Sequence, residues 1–107
     1  MEVAFDTKQL RDLCESQRLA ERRMNVQAAG ALRSCLADLS AAASVDEFTL
    51  VRPLAVLEED GSNFVVPLTD NHHLRFHQNH VTRPKLEGGL TDWASVTRVK
   101  IVSIEHA

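Results

Sequence analysis

The chain has 107 residues, a net charge of −3, 44% hydrophobic and 25% charged residues. That length holds one domain, 1–107, and the composition argues against both a disordered chain and a fibrous repeat. Apolar stretches such as Leu54-Ala55-Val56-Leu57 reach four residues against the ~20 of a membrane helix, and the start at Glu2 lacks the basic-then-apolar design of a secretory leader, so a cytoplasmic protein with no membrane contact is expected.

Twelve Lys and Arg stand against fifteen Asp and Glu, which excludes a surface that clings to nucleic acid everywhere; any RNA contact is local. Cys14 and Cys35 form no C-x-x-C pair and read as reduced core thiols.

The opening Glu2-Val3-Ala4-Phe5 alternates like a strand and stops at Asp6-Thr7, a helix N-cap. From Thr7, Leu10, Leu13 and Cys14 recur at helical spacing, predicting one amphipathic helix that ends near Arg18, Arg22 and Arg23. Those arginines suit the helix dipole or a local contact with RNA phosphates. Asn25 caps a second helix whose stripe is Ala28, Leu32, Cys35, Leu36, Leu39 and Ala43. Ala29-Gly30-Ala31 thins that helix for a close approach, and an αα-hairpin results. Ser44-Val45-Asp46-Glu47 is a capping box that puts Phe48 on a short extra turn of helix, ended by Pro53.

Three strands follow, over 54–58, 63–68 and 72–77, joined by the turn compositions Glu59-Asp60-Gly61-Ser62 and Thr69-Asp70-Asn71. Pro67 cannot donate to a ladder and demands an edge or a bulge. A long loop over 79–92 leads to a last strand over 96–104. There Ile104 falls out of phase with Val99 and Ile101, which places a bulge near Val102 and Ser103. The expected fold is α+β: a two-layer sandwich in the order β-α-α-β-β-β-β, an antiparallel sheet with a helical hairpin on one face and the other face open.

Four of five histidines fall between 72 and 80. His73 and His77 share a strand face but lie ~13 Å apart, too far to ligate one Zn²⁺ directly, and Arg75 between them opposes a cation; no metal and no cofactor is expected. Solvated surface histidines are the bland reading. The sharper one sends Leu74 and Phe76 inward and His73, Arg75 and His77 to the open face. A His can act as base or acid at neutral pH and an Arg fork grips phosphate, which together suit attack of a ribose 2′-OH on its phosphate. Arg83 and Lys85 in the long loop, and Arg98 and Lys100 on the last strand, are candidate RNA contacts.

MEVAFDTKQLRDLC, LRSCLADLSAA followed by VDEF, LRF at 74–76 and above all GGLTDWASVTRVKI at 88–101 resemble the HigB group of RelE/ParE toxins, the plasmid-maintenance killer proteins of toxin–antitoxin pairs. The resemblance implies a RelE-like fold and a ribosome-dependent mRNA endoribonuclease that inhibits translation. It implies as partners the ribosome, mRNA and a helix-turn-helix, HigA-like antitoxin, with DNA reached only through that antitoxin. It places Arg75 at the catalytic strand arginine, Trp93 at a structural aromatic, and Val99 and Ile101 on the last core strand. Two departures stand out. Relatives carry a basic loop of the Leu-Lys-Gly-Asp-Arg type where this chain reads Leu57-Glu58-Glu59-Asp60-Gly61, and they commonly end Asp-Tyr-His where it reads Ile104-Glu105-His106-Ala107 with no Tyr anywhere. His73, His77 and His106 are the candidates to offset these losses. The rival expectation is a catalytically weakened homologue that binds its antitoxin as a regulatory partner.

Overall fold

The structure, a computed structural model, describes residues 1–106. β1 (Glu2–Phe5) leads into α1 (Lys8–Glu15), where the Thr7 hydroxyl accepts from the Leu10 N–H at 3.1 Å. The single helix expected next is two. Ser16 adopts an extended backbone, ending α1, and its hydroxyl accepts from the Leu19 N–H at 3.2 Å to start α2 (Gln17–Arg23). A serine that bonds the backbone ahead of it competes with continuing the helix behind it.

Asn25 opens α3 (Val26–Ala41), accepting from the Ala28 N–H at 2.7 Å. The predicted stripe is buried at Ala28, Leu32, Cys35 and Leu39, half-buried at Leu36 and exposed at Ala43, which lies past the helix end; Ala29 and Ala42 are buried instead. Gly30 does not mediate a close approach, because a Cβ there would meet nothing within 4 Å. Ser44 accepts from the Glu47 N–H and caps α4 (Val45–Val51), two turns rather than one.

The strands are β2 (Val56–Leu57), β3 (Asn63–Thr69), β4 (His72–Gln78) and β5 (Arg98–His106), with a 3₁₀ turn at Trp93–Ser95 ahead of β5. They form one sheet in the order β1-β5-β4-β3-β2. The sheet is mixed rather than antiparallel, since β1 runs parallel to β5 while every other pair is antiparallel. No turn announces that pairing, because the whole chain separates the two strands. Pro67 sits beyond the reach of β2, which pairs only with Phe64 and Val65, and next to a register shift between Pro67 and Thr69. On β5 the extra residue is Val102, so that Phe76 faces Ile101 and Arg75 faces Ser103.

All four helices cover one sheet face. Under them Phe64, Val66, Leu74, Phe76, Val99 and Ile101 are buried with Leu32, Leu39 and Phe48. Phe76 is the hub: Phe64 stacks on it at 5.5 Å and Phe48 meets it edge-on at 5.8 Å, geometries worth about 0.5–1.5 kcal/mol beyond area burial. No described helix is long and apolar enough to cross a membrane.

Candidate functional site

Strand alternation sends the residues between those core positions to the uncovered face. Cross-strand partners share a face, so the pairs Val65–Arg75, Arg75–Ser103, His73–Glu105 and His77–Lys100 lie there together. Arg75 therefore emerges with His73 and His77 on either side along β4.

The guanidinium is occupied. Arg75 Nε donates to Glu58 Oε1 at 2.7 Å and Nη2 to Glu58 Oε2 at 3.3 Å, a two-pronged pair, while Nη1 donates to Glu105 Oε2. Three of its five N–H donors are thus committed to carboxylates, and the side chain keeps 24% of its surface exposed. Glu58 enters from the residue after β2, where its N–H donates to the Asn63 carbonyl. His73 Nε2 donates to the same Glu105 Oε2 at 2.7 Å. The hydrogen bond from His73 and the charge of Arg75 hold the Glu105 carboxyl below its ordinary pKa, and the Glu58 hydrogen bonds raise that of Arg75.

The two carboxylates of Glu58 and Glu105 and the guanidinium of Arg75 sum to −1. A phosphate oxygen ~4 Å from a unit charge at an effective dielectric of ~20 feels about 4 kcal/mol. Two carboxylates against one guanidinium therefore repel it.

The other histidines divide. His77 Nδ1 donates to the Gln78 carbonyl at 2.6 Å. His80 Nε2 accepts from the Thr97 N–H at 3.0 Å and ties the long loop to β5. His106 does not join Arg75, contrary to expectation: it pairs with His72, which is only 7% exposed on the helix-covered side, and their rings meet edge-on at 4.7 Å. Burial, with His106 alongside, lowers the pKa of His72, whose Nδ1 lies 3.1 Å from the Thr69 hydroxyl.

The candidate RNA contacts are also partly spent. Arg83 does not reach outward; it braces its own loop through Thr91 Oγ1 at 2.8 Å and the Gly89 carbonyl at 2.9 Å. Arg98 pairs with Glu2 at 2.9 Å. Lys100 lies across from His77, and Lys85 is exposed in the loop. A cavity of about 440 Å³ opens between Asp60, Ser62, His77, Arg83 and Leu90, at the loop end of the face. Among the described residues no three His, Cys, Asp or Glu side chains gather to hold a metal. Burial lifts Cys14 to about 12 and Cys35 to about 11, leaving both thiols protonated at neutral pH.

Sequence reasoning missed Glu58 and Glu105 as partners of Arg75. The acidic character of 58–60 was visible, but which carboxylate crosses β3 to reach β4 depends on the register. Comparison with known proteins finds no match: no family model, no curated protein and no solved structure is similar to this chain at a significant level.

Proposed function

We propose that this chain is a nuclease-silent relative of the HigB group of RelE/ParE toxins, acting in the cytoplasm as the binding partner of a helix-turn-helix antitoxin in a regulatory complex. The observation that carries this reading is the clamp of Glu58 and Glu105 on Arg75. Cleavage through a strand arginine needs that guanidinium available to the phosphorane, and losing one such donor costs ~10²–10³-fold in rate. Here the clamp withdraws it and adds a negative field. The GGLTDWASVTRVKI stretch and the order of one strand, helices and four strands support membership of the toxin group and its RelE-like topology.

A second reading keeps the ribosome-dependent endoribonuclease, because His73, Arg75 and His77 do share the open face. Induced expression separates the two. Wild type and Arg75→Ala are expected to grow alike and to leave mRNA intact, whereas Glu58→Gln with Glu105→Gln, which takes the cluster from −1 to +1, is expected to gain RNA affinity at least tenfold. Growth arrest by wild type that Arg75→Ala abolishes overturns the binding reading in favour of the nuclease.

A further inference from the structure

The two carboxylates on Arg75 are held by very different parts of the sheet. Glu105 lies on β5, which is paired with β4 from Gln78–Val99 to His72–His106. Glu58 lies one residue past β2, a strand that pairs with β3 at two positions only, Val56–Val65 and Leu57–Phe64. One anchor is built into the sheet and the other hangs on its edge.

The arm that carries Glu58 runs from Pro53 to Ser62. Of its ten residues only Ala55, Glu58 and Gly61 are not exposed; Leu54 keeps 72% of its surface and Val56 62%. Few buried apolar contacts and exposed backbone bonds are the marks of a segment that opens easily. Three of its hydrogen bonds are local and travel with it: the Ala55 N–H donates to the Arg52 carbonyl at 3.0 Å, the Gly61 N–H to the Glu58 carbonyl at 2.9 Å, and the Ser62 N–H to Asp60 Oδ1 at 3.0 Å. What ties the tip to the sheet is the Glu58 N–H on the Asn63 carbonyl at 2.8 Å and the two-pronged pair of Glu58 with Arg75. At its root the arm is pinned, because Arg52 bonds Asp38 at 2.8 Å and Ser34 at 3.1 Å on α3.

Opposite Arg75, Ser103 Oγ is buried and has no hydrogen-bond partner among the described residues. A buried hydroxyl left unbonded is costly, so the closed arrangement leaves a polar group for a ligand to satisfy. Charge points the same way. With Glu58 seated the ion cluster is −1; with Glu58 away, Glu105 and Arg75 cancel and Lys100 on the same face brings the site to +1. Movement of one side chain reverses the sign that an incoming anion meets.

We propose that residues 53–62 form a lid latched by Glu58 on Arg75, and that opening it uncovers a site for a tetrahedral oxyanion of the phosphate class, held by Arg75 with Ser103 and Lys100 beside it. Anion and latch compete for one guanidinium, so each weakens the other by the same factor. The inference rests on the clamp that carries the binding reading above and adds its regulation: the closed form is the silent one, and the arm sets how long it stays closed.

The probe is inorganic phosphate, added at pH 7 to the isotope-labelled full chain, with sodium chloride of equal ionic strength as the control. Phosphate is expected to speed hydrogen exchange of the Glu58 amide at least threefold and to shift the Arg75 Nε–H resonance, while the Leu74 and Phe76 amides exchange as before. Chloride is expected to do neither. Glu58→Gln is expected to bind phosphate at least tenfold more tightly than wild type and Glu105→Gln less than threefold, since both remove one charge but only the first unlatches the arm. Should Glu58→Gln lower the melting temperature, the exchange comparison on the wild-type chain decides. Equal gains in the two variants mean that charge alone governs the site and overturn the lid. So do Glu58 exchange rates that are the same in phosphate and chloride, or faster exchange spread over β4. A lid that does not move leaves the antitoxin-binding reading intact, whereas growth arrest that depends on Arg75 overturns that reading without changing the exchange result, so the two failures are distinguishable.

Discussion

The two faces of the sheet are cut from alternate residues of the same strands, yet they are stabilised by different physics. Under the helices Leu74 and Phe76 vanish into apolar packing, whereas one residue away His73 and Arg75 sit in a half-exposed network of ions. The covered face owes its stability to close packing, which is intolerant of lost volume. The open face owes its order to charge pairing, which solvent weakens. A polar site assembled this way costs the fold little, and for that reason its residues are at liberty to specialise or to be switched off.

The largest expected effect breaks the covered face. Phe76→Ala deletes the hub between Phe48 and Phe64, and a fully buried phenylalanine costs about 3–5 kcal/mol to truncate. Denaturant unfolding is expected to show most of the stability gone. His77→Ala, one position along the same strand, is expected to stay within about 0.5 kcal/mol. Equal losses for the two would erase the distinction between the faces.

On the open face Arg75→Met strands Glu58 and Glu105 against each other and is expected to destabilise by about 1 kcal/mol, the scale of a partly exposed pair. Adding Glu58→Gln and Glu105→Gln is expected to recover most of that loss, because the repulsion goes with the charges. If the triple variant is no more stable than Arg75→Met, the clamp is not what orders these side chains.

How much of this is legible in the sequence follows the range of each interaction. Thr7, Asn25 and Ser44 announce their helices because a cap is a contact three residues long. Leu74 and Phe76 announce the covered face, and Ile104 the bulge, because side-chain alternation is local. Ser16 is hidden as a helix break since the apolar spacing runs through it from Leu13 to Ala20. The parallel β1–β5 pair, the opposite placement of His106, and the Glu58–Arg75–Glu105 clamp all join distant segments through strand register, which no short window contains.

Acidity should separate the faces without any mutation. His72 on the covered side has a pKa held below its ordinary 6.5 by burial, so between those values the unfolded chain binds the extra proton and stability falls as pH drops below ~6.5. Glu105 has a pKa held below its ordinary 4.5 by His73 and Arg75; its contribution is whole above that value and is lost only as pH falls further. Melting temperatures of wild type, His72→Gln and Glu105→Gln across pH 3–8 check both. His72→Gln is expected to flatten the limb just below neutrality, and Glu105→Gln the limb below ~4.5. Interchanged limbs would mean that the residues had been put on the wrong sides.

The smallest effect concerns the outer surface of the covering layer. Gly30 lies exposed near the start of α3, with a helical backbone that alanine also adopts and with no atom within 4 Å of the place an alanine methyl would take. Glycine there loses more chain entropy on folding than alanine does, so Gly30→Ala is expected to stabilise by about 0.5–1 kcal/mol. The same measurement reads out packing: a loss instead of a gain would mean that α3 meets a neighbour at this turn, and the helices would then be covered on their outer side as well as their inner one.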